Sequence, residues 1–169
     1  MKWFLILLFI TLNPFVTSEA KIYQIEMIIF SQPTFQNNAL KECLTSTSLD
    51  PNFFYAKKIK PLPTSQFLLK NEQTELDKNL EYQTLLHLAW QQSITHLSTR
   101  PIRIEGDKVR GLFRANVQHY FNISISLLFN QSSGSGSWYE SQERRMRSNQ
   151  LNYLDFLYYG VLIKIIPLT

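Results

Sequence analysis

From Val117 to Phe129 the residues Val117, His119, Phe121, Ile123, Ile125, Leu127 and Phe129 alternate with Gln118, Tyr120, Asn122, Ser124 and Ser126. Alternation at period two is the mark of a strand with one buried and one wetter face, because successive side chains point to opposite sides. On this reading His119 lies on the buried side. "NQSSGSGS", Asn130 to Ser137, then reads as a flexible hairpin connection, and "WYESQERRMRS" as a strand running back antiparallel. "YGVLIKIIPL" near the C-terminus is apolar on both faces except at Lys164, as a central strand should be.

The remaining elements follow from composition and spacing. "KIYQIEMIIF", Lys21 to Phe30, begins with alternation and becomes apolar on both sides, a first strand passing from an edge into the core. Ser31 to Thr64, rich in Pro, Asn, Ser and Thr, is expected to be a long irregular excursion over the surface. In "TELDKNLEYQTLLHLAWQQS" the spacing of Tyr82, Leu85, Leu86, Ala89 and Trp90 predicts a helix with one apolar stripe, N-capped at Thr74. "RPIRIE" and a Gly106-Asp107 turn signal precede the alternating strand. The order predicts an α+β domain, a mostly antiparallel sheet of about five strands with one main helix packed on one face.

"MKWFLILLFITLNPFVTSEA" has the order of a secretory signal peptide: a lysine, an apolar run from Trp3 to Leu12, Asn13-Pro14, then small residues. The apolar run is about ten residues, against the roughly twenty a membrane helix needs. Cleavage after Ala20 is expected, leaving 21–169 as a single domain without a membrane span. Cys43 is the sole cysteine, so no intramolecular disulfide holds the fold. The net charge of +4 suits an acidic polymer.

Little in the sequence points to catalysis. His87, His96 and His119 lack metal-site spacing, and there is no nucleophile elbow, P-loop or dinucleotide fingerprint, so neither enzyme nor cofactor is expected. Two sequons, at Asn122 and Asn130, matter only in a glycosylating pathway, and a glycan mid-strand at Asn122 is awkward. The "RRMR" cluster is the chemically distinctive feature. On a strand Arg144 and Met146 share one face, while Arg145 and Arg147 share the other. Two readings stand: one face is merely solvated while the other pairs with carboxylates such as Glu26, Glu140 or Asp155, or the guanidinium groups grip ligand carboxylates through paired hydrogen bonds. Trp138, Tyr139 and Tyr153 nearby offer flat faces for sugar rings.

"RRMRSNQLNYLDFLYYGVLIKIIPL" resembles the C-terminal signature of the CsiV family, exported proteins that bind peptidoglycan in Gram-negative envelopes. "YQIEMIIFSQ", "YQTLLHLAWQQS" and "VQHYFNISISLLF" resemble the family's opening strand, its helix with an Ala-Trp pair, and its long alternating strand. After Asp155 the chain departs from the pattern, with "FLYYG" in place of a His-Pro pair. The resemblance implies a periplasmic, non-enzymatic protein that binds peptidoglycan and supports its synthesis and cell shape, with a peptidoglycan synthase or its outer-membrane lipoprotein activator as partner, and no nucleic acid. Arg144, Arg145 and Arg147 match the motif. The competing expectation is an envelope adaptor that grips a protein partner through a sheet edge or the excursion, without touching peptidoglycan itself.

Overall fold

The computed structural model describes residues 21–32, 50–97, 100–130, 137–156 and 159–168, and the side chains of Asn130, Ser137 and Trp138 fall outside what it describes. The expected signal segment, Cys43, most of the excursion and the glycine-serine connection lie outside the described residues. The elements are β1 (Lys21–Ser31), a 3-10 turn (Pro51–Phe53), β2 (Lys57–Lys58), a second 3-10 turn (Thr64–Gln66), helix α1 (Lys70–Lys78), β3 (Gln83–Ile94), β4 (Ile102–Glu105), β5 (Val109–Val117), β6 (Phe121–Asn130), β7 (Ser137–Met146), β8 (Leu151–Asp155) and β9 (Tyr159–Leu168).

These strands form two sheets, where the sequence suggested one of about five strands. A four-stranded sheet has the order β3-β1-β9-β8 and a five-stranded sheet the order β2-β4-β5-β6-β7. All ladders are antiparallel except the short β2–β4 pair. Between the sheets lies the main core, with Ile25, Met27 and Ile29 of β1, Val161, Ile163 and Ile165 of β9, Phe113 of β5 and Ile123, Ile125 and Leu127 of β6. Burying one face of each sheet against the other is what a period-two pattern requires when no helix among the described residues is long enough to cover either. As expected, β9 is internal, β7 runs back along β6, and Gly106 closes a turn onto the Val109 carbonyl at 2.8 Å.

The long alternating strand is in fact two strands. β5 ends at Val117, β6 begins at Phe121, and these residues pair directly. Partners in an antiparallel ladder share a face, and an even separation carries the alternation through the turn without a change of phase. His119, expected inside, therefore sits exposed in the turn.

The predicted helix over "TELDKNLEYQTLLHLAWQQS" also divides. α1 is shorter and starts earlier, Thr74 lies inside it donating to the Lys70 carbonyl at 2.8 Å, and Asn79 closes it onto Leu76. Leu85 to Trp90 belongs to β3, where Trp90, Leu88 and Leu86 face the sandwich core and pair with Ile25, Met27 and Ile29. A run apolar on both faces satisfies helix and strand periods alike. Here β1 settles the matter, since an inner strand needs a partner for every N–H and C=O along its open side.

The outer face of the four-stranded sheet is covered by a strap, residues 61–78. Leu69 and Leu76 pack on Ile28, Phe30, Tyr82 and Leu162. At its centre Glu26 is buried, its carboxylate accepting from the Leu68 and Leu69 N–H groups at 2.7 and 2.8 Å and contacting His87 Nε2 at 2.7 Å. His87 Nδ1 in turn meets Gln73 Oε1 of α1 at 2.7 Å. α1 has no side-chain cap of its own, so this carboxylate from the sheet takes up donors at its N-terminal end. Burial alone would raise the Glu26 pKa, but the His87 hydrogen bond, the two backbone donors and the His87 charge outweigh it and hold the carboxyl below its usual value.

A carboxyl whose folded pKa is depressed contributes its stability fully above the ordinary value of 4.5 and loses it as pH falls through the lowered folded value. Acid unfolding monitored from pH 6 to 2 is therefore expected to flatten for Glu26→Gln, and Glu26→Ala is expected to cost about 3–5 kcal/mol at neutral pH because it strips a buried network of its partner. Gly160 makes a second test. An added Cβ would lie 2.2 Å from Phe30 Cζ, and the Phe30 ring also meets Tyr82 edge-on and stacks on Tyr153. Gly160→Ala should lower stability by about 1–3 kcal/mol in urea unfolding, and trimming the ring with Phe30→Leu should absorb part of that loss.

Candidate functional site

The arginine cluster lies at the end of β7, the edge strand of the five-stranded sheet. Met146 pairs with Phe121 and is buried, which fixes the strand's phase: Arg145 faces outward and pairs with Asn122. Arg144 is on Met146's face, in register with Ile123, yet is exposed at the edge of its sheet. Arg147 opens the turn to β8, which Asn149 completes in the left-handed region at φ 61° with its N–H on the Ile165 carbonyl.

Tyr120, in the β5–β6 turn, joins the two outward arginines. The Arg145 guanidinium carbon is 5.4 Å from its ring centroid and that of Arg147 is 5.5 Å away. No carboxylate among the described residues lies within ion-pair distance of Arg144, Arg145 or Arg147. The acids suggested as neutralising partners are placed otherwise. Glu26 is tied to His87 and the strap, Asp155 accepts from Gln32 and Tyr153, and Glu140 stands opposite Leu127, four residues up β7 from Arg144. The guanidinium groups are outward and held by an aromatic face, the arrangement in which a cation keeps its donors for a ligand.

Two grooves border the cluster, one beside Arg145 and one beside Tyr120 and Arg147. One, of about 440 Å³, runs over β5, β6 and β7 and is lined by Arg114, Asn116, Asn122, Ser124, Glu143 and Arg145. Its walls form two rows across the strands: Arg114–Ser124–Glu143 and Asn116–Asn122–Arg145. Asn122 Nδ2 donates to Asn116 Oδ1 at 3.1 Å. Arg114 is steered by Asp50, 3.6 Å away, whose carboxyl is held below its usual value chiefly by the Asn52 N–H, with the Arg114 charge adding to that. The second groove, about 600 Å³ at the end of the sandwich, is lined by Lys21, Tyr23, His119, Tyr120, Arg147 and Gln150 among others.

The structure separates the other expected site residues. Tyr139 shares Arg145's outward face but stands six residues up the strand, about 20 Å away at 3.3 Å per residue. The Trp138 side chain lies outside the described residues. Tyr153 is on the other sheet, stacked on Phe30, its hydroxyl donating to Asp155 Oδ1 at 2.9 Å. Burial, that hydrogen bond and the Asp155 charge push its pKa up to about 12. Sequence reasoning grouped Tyr153 with the arginines because they are near in the chain, but the turn at Arg147–Gln150 carries β8 into the opposite layer. It missed Tyr120, Arg114, Asn116 and Ser124, which only the β5–β6 hairpin brings beside β7. Among the described residues no cluster of His, Cys, Asp and Glu has the makings of a metal site, and no helix is long and apolar enough to cross a membrane.

Tyr120→Leu should lower stability by about 1–2 kcal/mol, the sum of two exposed cation–π contacts, while Tyr120→Phe, which keeps the ring face, should unfold in urea at the wild-type midpoint.

Comparison with known proteins places this geometry in a family. The family described as peptidoglycan-binding protein, CsiV, has a model that matches residues 35–168, a span that includes the arginine motif, both grooves' β5–β7 residues and all of β9. β1 precedes the matched span but is paired along its length with β9 inside it. No curated protein and no solved structure matches the chain significantly.

Proposed function

Since the chain belongs to the CsiV family of peptidoglycan-binding proteins, we propose that it holds the wall polymer through the outward basic strip Arg145–Tyr120–Arg147 and the two grooves beside it. The observation that carries this reading is that these guanidinium groups face solvent with no carboxylate partner among the described residues. Peptidoglycan presents carboxylates on its stem peptides, and an arginine fork matches a carboxylate with two parallel hydrogen bonds. Tyr120 supplies a flat face at the same place.

The finer assignment goes with the family. The protein acts in the periplasm after removal of a leader ending at Ala20, as a non-enzymatic support for wall synthesis and cell shape, next to a peptidoglycan synthase or its outer-membrane lipoprotein activator. What supports this is the leader-like first twenty residues, the absence of a nucleophile motif in the sequence, and a site built of fixed cations. Lys21 already pairs with Ile94, so cleavage at that point leaves both sheets whole.

Pulldown with purified sacculi is expected to recover the mature protein, and the Arg145→Ala/Arg147→Ala double variant to reduce recovery by about fivefold or more while its circular dichroism is unchanged. Recovery should fall as salt rises from 50 to 500 mM, because exposed charges are screened over about a Debye length. Undiminished recovery of the double variant would remove the arginines from the site, and co-purification of a protein partner that survives complete digestion of the wall would favour an adaptor role.

A further inference from the structure

The groove over β5–β7 contains a feature that a simple anion site does not need. Glu143 projects into it, two residues from Arg145 on the same outward face, about 6.6 Å along the strand. A carboxylate beside the guanidinium weakens the site for a plain polyanion. Yet the two form no ion pair with each other, and Glu143 has no cationic partner among the described residues. One wall of the groove therefore offers a positive and a negative group side by side, both unspent.

We infer that this groove takes the zwitterionic end of a diamino acid in a wall peptide, an ammonium and a carboxylate borne on one carbon, with Glu143 facing the ammonium and Arg145 the carboxylate. The inference rests on the peptidoglycan-binding reading above and names the part of the polymer that is read. The floor is made of Ser124 and Asn122, short and uncharged, so a small head can settle between the rows. The Asn122–Asn116 bond uses one donor and one acceptor and leaves Asn122 Oδ1 and the Asn116 amide nitrogen to a ligand. Arg114 stands diagonally across, two strands and two residues from Arg145, about 12 Å between backbones. That distance suits a second carboxylate of the same peptide, and Asp50 holds Arg114 in place for it.

The test is displacement of the mature wild-type protein from sacculi by soluble disaccharide-peptide fragments, native or N-acetylated at the free ammonium of the diamino acid. The native fragment is expected to displace at a concentration about fivefold lower, the loss of one exposed ion-pair contact. Glu143→Gln should bring the two fragments to within about twofold of each other. Attraction by net charge alone predicts the reverse order, since acetylation makes the fragment more negative. Equal or better displacement by the acetylated fragment would overturn the inference, as would a Glu143→Gln protein that still prefers the native one. Wild-type protein that sacculi do not retain at all would instead overturn the peptidoglycan reading itself. The wild-type comparison of the two fragments requires no variant to fold.

Discussion

A carboxylate set into the middle of a sheet's outer face must be given donors, and Glu26 governs much of this architecture for that reason. Unpaired burial of such a charge costs several kcal/mol. The strap answers by turning the Leu68 and Leu69 N–H groups and His87 onto it. Once the strap is fixed there, Leu69 and Leu76 close over Ile28 and Phe30, and the four-stranded sheet is covered on both sides. The described residues cover the five-stranded sheet only in part. Phe53 and Ala56 pack on Leu112, and Arg103 pins that segment through the Phe53 carbonyl, at 2.9 Å, with its guanidinium stacked over the Phe53 ring. What the described residues leave open is the β5–β7 half, and its side chains there are Arg114, Asn116, Asn122, Ser124, Glu143 and Arg145. The position of the site is thus a consequence of where the protein closes its other surfaces.

The sequence made the strands legible wherever local pattern and final burial agree. β9 is apolar on both faces and proves to be an inner strand, and the alternation correctly set Arg145 on the face of β7 opposite the buried Met146, while Arg147 lies beyond the strand's end. It failed where a pattern had two solutions. Leu85 to Trp90 fits a helical stripe, but His87 falls off that stripe and in β3 points to Glu26, a long-range partner that no local spacing announces. The β5–β6 turn was invisible because Val117 and Phe121 are an even number of residues apart, so the pattern crosses the turn in phase. Missing that hairpin meant missing a whole second sheet, and with it Tyr120 and Arg114. Tyr153 was misassigned for the opposite reason, since nearness in sequence counts for nothing across a turn that changes layers.

Tyr120 gives the cluster its order. An arginine on an exposed edge samples many rotamers, and a ligand that fixes it must overcome that freedom. With one ring in contact with both Arg145 and Arg147, much of the ordering is done before any ligand arrives. Lysine would not substitute, because its point charge lacks both the planar stacking face and the paired donors that remain outward. Met146, buried between the two, keeps the strand end from fraying and so fixes the spacing of the pair.

Exposed ion pairs are individually weak, about 0–1 kcal/mol each, so a site of this kind gains little from any single carboxylate. A cross-linked polymer changes the arithmetic. Its stems repeat at close intervals, and on the proposed reading a stem seated in the groove beside Arg145 would bring a neighbouring stem to the groove beside Arg147 at a high effective concentration. Two modest contacts of this kind would hold the mesh more firmly than either would hold a free peptide, and each would release quickly.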